Sequence, residues 1–86
     1  MDAMTVPVLL FASYADAAGR SRVDVAIPRG ATVADAVAAV RRLLDARSGG
    51  QLPAAPLVAV NAAYASAERV LEPGDEVALI PPVAGG

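Results

Sequence analysis

The residues best suited to chemistry lie at the very C-terminus, in the run Pro81-Pro82-Val83-Ala84-Gly85-Gly86. Two prolines stiffen the chain by fixing φ, and the small residues after them make a tail slim enough to enter a narrow protein channel. The tail ends in an α-carboxylate, which is ionised at neutral pH. Once joined to AMP as a mixed anhydride, such a carboxyl group is open to attack by a thiol, a persulfide or an amine. The alternative is a frayed terminus with two accidental glycines.

The residue types that the sequence lacks exclude most catalytic chemistry. The sequence has no histidine and no cysteine, and its seven basic residues are all arginine. The usual general base, a thiol nucleophile, a Cys-ligated zinc site and a lysine Schiff base are therefore excluded. No metal site is predicted, and no serine has a His or Lys partner to activate it. Acid–base groups for any reaction at the terminal carboxylate must come from a partner protein.

Length and composition predict one small folded domain. The chain has 86 residues, 56% of them hydrophobic, and a formal net charge of −2. The hydrophobic content is too high for a disordered chain. Basic residues do not outnumber acidic ones, which argues against nucleic-acid binding. No apolar stretch approaches the ~20 residues that a membrane span needs, so we expect no membrane association. The N-terminus lacks the basic segment of a secretory signal, and the default compartment is the cytoplasm.

The pattern along the chain predicts an α+β domain. A helix is predicted over 33–47, because Thr32 and Asp35 form a capping-box-like start before an apolar stripe. That stripe consists of Val33, Ala36, Val37, Val40, Leu43 and Leu44. Strands are predicted over Thr5–Ala12, Val23–Ile27, Leu57–Val60 and Glu76–Pro81, with a helical turn at Tyr14–Ala18 and a short strand around Tyr64.

These elements must build the platform from which the tail leaves. Two initial strands, one long helix and a returning strand indicate a two-layer fold, in which a mixed sheet is covered on one face by one main helix. Residues 1–81 form a single predicted domain, and residues 82–86 form a flexible tail. Pro73 and Gly74 are predicted at the central positions of a type II turn, which requires positive φ at the glycine.

The C-terminal pattern resembles a known family. The run from Leu71 through Gly74-Asp75-Glu76-Val77-Ala78 to Pro81-Pro82-Val83-Ala84-Gly85-Gly86 is similar to the end of the small subunit of molybdopterin synthase. The resemblance extends to Thr32-Val33 at the helix start and to the internal Val60-Asn61. It implies a ubiquitin-like β-grasp fold and a role as a sulfur carrier.

The resemblance also implies a mechanism and a set of partners. An E1-like enzyme uses ATP to adenylate Gly86, and a sulfur donor then converts the adenylate into a thiocarboxylate. Pro82, Val83, Ala84 and Gly85 enter the large subunit of molybdopterin synthase, where sulfur passes to cyclic pyranopterin monophosphate. The family complex is a heterotetramer of two small subunits on a large-subunit dimer. The chain itself is expected to bind no cofactor.

A partner surface is predicted on the sheet face away from the helix. In the first strand Val8 and Leu10 point opposite to Leu9 and Phe11, yet both sets are apolar. The last strand repeats this with Val77 and Leu79 against Ala78 and Ile80. One helix covers only one face, so the second apolar set marks an interface. By resemblance, we expect Phe11 and Ile80 to lie in it; the alternative is that loops 13–22 and 48–56 cover this face.

Three other functions remain open at this point. A thiocarboxylate carrier for thiamine or cysteine synthesis would share the Gly-Gly end. A ubiquitin-like protein modifier would use Gly86 to form an amide with a lysine of a target protein. A plain interaction domain would carry an inert tail.

Overall fold

The computed structural model of the chain describes residues 2–48 and 56–81 and shows a mixed five-stranded sheet with two helices. The sheet order is β2-β1-β5-β3-β4. The elements in chain order are β1 (Ala3–Leu10), α1 (Ser13–Ala18), β2 (Arg22–Pro28), α2 (Val33–Ser48), β3 (Leu57–Val60), β4 (Ala63–Tyr64) and β5 (Val77–Ile80). This confirms the predicted α+β class with a mixed sheet. None of the helices in the described part of the chain is both long and apolar enough to cross a membrane.

The two halves of the sheet meet where β1 and β5 run parallel at its centre. β1 and β2 form an antiparallel hairpin, and β5 pairs antiparallel with β3 on its other side. The parallel pairing begins at Val8, opposite Val77, one residue after Pro7. Pro7 therefore lies where its missing amide hydrogen costs no ladder bond, as the sequence predicts.

The start of α2 is fixed by a reciprocal cap. The Thr32 amide donates to Asp35 Oδ2 at 2.9 Å, and the Asp35 amide donates to Thr32 Oγ1 at 3.4 Å. Two amides that the helix leaves without a partner are thereby satisfied. This cap orients α2 so that Val33, Ala36 and Val40 pack against the sheet.

The core lies between α2 and one face of the sheet. Its fully buried members include Val6, Val8, Val77 and Leu79 from the strands and Leu44 from α2. The prediction was wrong for Leu43, which is 43% exposed, because the apolar stripe of α2 is narrower at this end than the sequence suggests.

Tyr14 on α1 also belongs to this core, a role that the sequence did not indicate. Burial raises the pKa of its hydroxyl above the usual value, and Arg41 partly opposes that shift.

Strand ends differ from the prediction by a few residues. β1 begins at Ala3 because that residue still pairs with Pro28. It ends at Leu10 because Ala12 takes a φ of 50° and turns the chain into α1. β3 is not buried on both faces, since Leu57 is exposed. The predicted tail, residues 82–86, lies outside the described residues.

Candidate functional site

The sheet face away from α2, called here the outer face, carries the second set of apolar residues. Alternation along β1 and β5 turns Val8, Leu10, Val77 and Leu79 towards α2 and sends their neighbours to the opposite side. The outer set consists of Leu9, Phe11, Ala59, Tyr64, Ala78 and Ile80.

Strand register arranges these residues in a row. Leu9 lies beside Ala78, Ala78 beside Ala59, and Ala59 beside Tyr64, so one line crosses four strands. The two alanines at the centre are small and the side chains at each end are large. This row therefore has a low middle and raised ends.

Phe11 and Ile80 extend the row into a shallow concave site. Together with the row they line a cavity of about 360 Å³, which Ala62 and Glu76 complete at the rim. A concave apolar surface of this kind is typical of a binding site rather than of a solvated sheet face.

The structure brings both sequence-predicted interface residues to this site. Phe11 is 46% exposed, and its amide donates to the Leu79 carbonyl at 3.3 Å, which holds it beside β5. Ile80 is partly buried and lies opposite Leu57 of β3. Neither loop 13–22 nor the described part of loop 48–56 lines the cavity. That Phe11 and Ile80 bind a partner stays a prediction.

Sequence reasoning missed Tyr64, the most exposed aromatic side chain of the outer face. It is 76% exposed, and its place in the row depends on β4 pairing with β3. A strand of two residues carries almost no periodic signal, so alternation could not assign Tyr64 to a face. Tyrosine combines a large apolar ring with a polar tip, which suits a residue at an interface.

The β3–β4 hairpin that presents Tyr64 is held by a polar network. Asn61 and Ala62 have φ values of 52° and 69°, as a two-residue type I′ turn requires. The Asn61 side chain donates to Asp75 Oδ1 at 2.8 Å and accepts from the Glu76 amide at 2.9 Å. The hairpin is thereby tied to the residues that lead into β5.

Asp75 is the centre of that network. Besides Asn61, it accepts bonds from the Glu72 amide at 2.9 Å and from Arg69 at 3.4 Å. The Glu72 backbone bond, followed by the Asn61 bond, holds the pKa of the Asp75 carboxyl below its ordinary value. Gly74 has a φ of 93°, which confirms the predicted turn with glycine at its third position. Asp75 therefore has a structural role here.

The apolar site ends at β2. The exposed side of that strand carries Arg22 and Asp24, whose charged groups pair at 3.1 Å in contact with solvent. The outer face is therefore apolar over β1, β5, β3 and β4 and charged over β2. Such a border limits the area that an apolar partner surface would cover.

The tail follows directly from this site. Ile80 is the last residue of β5, and Pro81 is the last described residue before the predicted tail residues Pro82, Val83, Ala84, Gly85 and Gly86. Within the described ranges 2–48 and 56–81, no cluster of three or more Asp, Glu, His or Cys side chains could hold a metal ion.

The topology and the single main helix packed on a mixed sheet define a ubiquitin-like β-grasp protein. A family model described as the ThiS family matches residues 8–86. The chain therefore belongs to the ThiS family of small ubiquitin-like sulfur carriers.

Solved structures agree with this fold. The small archaeal modifier protein 1 of H. volcanii is 34% identical, with a TM-score of 0.76 over 93% of this chain and 99% of that chain. A Pyrococcus furiosus protein described as molybdopterin converting factor, subunit 1, is 27% identical, with a TM-score of 0.70 over 93% of this chain and 99% of that chain. A chain in the complex of subunit 1 and 2 of the molybdopterin-converting factor from Helicobacter pylori is 21% identical to this chain. Its TM-score is 0.58 over 96% of this chain and 100% of that chain, a likeness of fold alone.

Proposed function

We propose that the chain carries sulfur as a thiocarboxylate on Gly86 and donates it to cyclic pyranopterin monophosphate in molybdopterin synthesis. The Gly86 carboxylate attacks the α-phosphate of ATP, which releases pyrophosphate and leaves an acyl-adenylate. A persulfide sulfur from a donor protein displaces AMP, and cleavage of the sulfur–sulfur bond by a thiol then leaves the thiocarboxylate on Gly86. The requirement for ATP agrees with a cytoplasmic location.

One observation carries this proposal: the concave apolar face adjoins the end of the strand that leads into the Gly-Gly tail. Phe11 and Ile80 lie at that end of the site, and Pro81 follows Ile80 directly. A partner seated on the outer face is therefore in reach of the terminal carboxylate. The chain has no His, Cys or Lys, so that partner supplies the acid–base groups.

The partner that we propose for this face is the large subunit of a molybdopterin synthase. The terminal sequence pattern and the similarity to the Pyrococcus furiosus protein support this choice. In the proposed complex Pro82, Val83, Ala84 and Gly85 enter the large subunit as an extended chain. Two small subunits would bind a large-subunit dimer, and an E1-like enzyme would recognise the same tail for adenylation.

Deletion of Gly86 tests the role of the terminal residue. The shortened chain and the full chain are each incubated with ATP, the activating enzyme and a sulfur donor, and then with the large subunit and the precursor. Deletion moves the carboxylate back by about 3.3–3.6 Å of extended chain. Because a misplacement of ~1 Å can cost about 100-fold in rate, we expect no molybdopterin from the shortened chain.

Two controls separate chemistry from folding. Asp24→Asn, at the exposed ion pair of β2, leaves the tail unchanged and should retain activity. Gly86→Ala adds a methyl group beside the reacting carbonyl and should slow both loading and transfer. The stability of the shortened chain, measured by urea unfolding, should change by less than about 0.5 kcal/mol. Molybdopterin formation at the full-length rate by the shortened chain would refute the terminal-glycine mechanism.

A protein modifier is the second candidate function. Its support is the 34% identity to a small archaeal modifier protein over nearly the whole of both chains. In this case an amine of a target protein, instead of a persulfide, would displace AMP and form an amide at Gly86. A carrier for thiamine or cysteine synthesis would use the same thiocarboxylate with another acceptor.

A further inference from the structure

Among the described residues, β2 forms a long edge of the sheet with no further strand paired to it, and the proposed sulfur chemistry does not use this edge. β2 lies at the end of the strand order and has seven residues, whereas β4 at the opposite edge has two. A long free edge can accept an added strand through its backbone groups.

The hydrogen-bond pattern shows which backbone groups of β2 are free. The Leu10 amide of β1 donates to the Ser21 carbonyl at 2.8 Å. In an antiparallel pair, every second residue directs its backbone amide and carbonyl to the same neighbouring strand. Every second residue of β2 after Ser21 therefore faces β1. The residues between them, Arg22, Asp24 and Ala26, direct their amides and carbonyls outwards. Within the described part of the chain, no residue outside the sheet bonds to these outward groups.

Two cavities lie along this edge, between β2 and α2, and together they are called here the groove. One section, of about 520 Å³, has buried Ile27 and Ala31 at its base and Arg29 and Arg42 among its lining residues. A second section, of about 180 Å³, lies between Arg20 and the exposed Leu43. The exposed leucine of α2 therefore contributes apolar surface to the end of this groove.

The groove is positively charged although the chain is negative overall. Arg20, Arg29 and Arg42 line it, and none of the three forms an ion pair with a side chain in residues 2–44 or 56–81. Asp35 also lines the groove, and its Oδ2 is engaged by the amide and hydroxyl of Thr32. Asp2 lines a neighbouring cavity with Ala26 and Pro28. A ligand with carboxylates at intervals along its length would complement this arrangement.

We propose that the free edge of β2 binds an extended acidic peptide of a partner protein as an added strand. Its backbone pairs with Arg22, Asp24 and Ala26, and the side chains on one side of it enter the groove. Carboxylates on that side reach Arg20, Arg29 and Arg42. This site is separate from the concave apolar site that Phe11 and Ile80 line.

Charge also decides against a second copy of the chain as the occupant. Pairing of two β2 edges would bring Arg20, Arg29 and Arg42 of both copies to one seam. Like charges brought together at an interface oppose association. An acidic strand meets no such penalty, and its binding should weaken at high salt.

Titration of the isotopically labelled full chain with a synthetic peptide tests the proposal by NMR. The probe is a blocked heptapeptide of alternating glutamate and valine, and its glutamine counterpart is the neutral control. We expect saturable shifts of the Arg22, Asp24 and Ala26 amides. The glutamine peptide should bind about fivefold more weakly, the effect of a few exposed charge pairs.

Two isomeric probes test strand addition on the unchanged protein. In one probe the first, third and every further second amide is N-methylated, and in the other probe the remaining amides are. An added strand uses only one set of its amides to reach β2, so one probe should lose binding and the other should keep it. Equal binding by both probes, or shifts centred on Phe11 and Ile80, would overturn the proposal.

A charge variant tests the arginines. Arg29→Gln with Arg42→Gln should weaken binding of the glutamate peptide about fivefold and leave the glutamine peptide unaffected. The matched control, Ser66→Glu with Ala67→Glu, lowers the net charge equally near the opposite edge and should bind as the parent chain does. Equal loss in both variants would mean that only net charge matters. Concentration-dependent shifts of the β2 amides without peptide would mean that a second copy occupies the edge.

Discussion

The two faces of the sheet use neighbouring residues of the same strands in opposite ways. On the face towards α2, Val8 and Leu79 are almost completely buried. On the outer face, Phe11 remains about half exposed and Ile80 is only partly buried. Both faces are apolar, yet only one is needed to form the core. The outer residues are therefore accessible to a partner, as the proposed function requires.

The sharpest test of this difference is a pair of adjacent substitutions in β5. Leu79→Ala should lower the free energy of unfolding by about 2–5 kcal/mol, because it opens a cavity in the core. Ile80→Ala removes outer-face surface that is already partly in water and should cost less than about half as much. Urea unfolding of both variants measures the difference. Equal losses would mean that the two faces contribute alike to folding.

Charge on the outer face should abolish partner binding and leave the fold intact. Ile80→Asp and Phe11→Asp each place a carboxylate in the proposed contact, where burial without a pairing cation is costly. We expect affinity for the large subunit to fall at least about 30-fold, as for central interface residues. Calorimetric titration measures it, with Asp24→Asn on the charged border as the control. Unchanged affinity in both variants would place the contact elsewhere.

A smaller effect is expected at Asp75, which supports the outer face from its edge. The Asp75 carboxylate accepts hydrogen bonds from several donors, and in Asp75→Asn an amide hydrogen would face one of those donors. The substitution should therefore lower the free energy of unfolding by about 1–2 kcal/mol at neutral pH. Asp24→Asn, at an exposed ion pair, should cost no more than about 0.5 kcal/mol. Urea midpoints of the two variants check this comparison.

The pH dependence of Asp75 has a definite sign. Its pKa is lowered in the folded state, so the stabilisation is present above the ordinary aspartate pKa of about 4. It is lost as the pH falls below that value and through the folded-state pKa. The parent chain should therefore lose more stability between pH 7 and acid than Asp75→Asn does. If the free energy of unfolding falls equally in both proteins as the pH is lowered, other carboxyl groups control the acid unfolding.

The smallest effect is predicted for Ala62, in the turn that presents Tyr64. Ala62 has a φ of 69°, a conformation that glycine adopts at lower cost. Ala62→Gly should raise stability by about 0.5–1 kcal/mol, because relief of strain exceeds the added chain entropy. Ala63→Gly, the neighbouring strand residue, should lower it, and thermal unfolding of both variants gives the comparison.

Local signals in the sequence were sufficient for most of the elements. The Thr32–Asp35 cap, the turn at Gly74 and the alternation in β1 all depend on residues close together in the chain, and the structure confirms each of them. The apolar excess on β1 and β5 also predicted an apolar outer face, because alternation alone assigns residues to opposite faces. Partner binding at that face stays a proposal.

The features that the sequence did not reveal depend on long-range packing. Tyr64 joins the outer row only because β4 pairs with β3. Leu43 fits the helical stripe but is exposed, while Leu44 beside it is fully buried. Tyr14 enters the core through α1. The positive φ of Ala12 has no sequence signal, since glycine is the usual residue in such a conformation.

The most direct test of the central claim, that Gly86 carries the sulfur, is the intact mass of the chain isolated from its native host. A sulfur carrier should give a species in which one oxygen is replaced by sulfur. Fragmentation should place that change on Gly86, and deletion of Gly86 should remove it. A chain found only as an amide-linked adduct of other proteins, with no sulfur-bearing form, would contradict the carrier mechanism and identify a protein modifier.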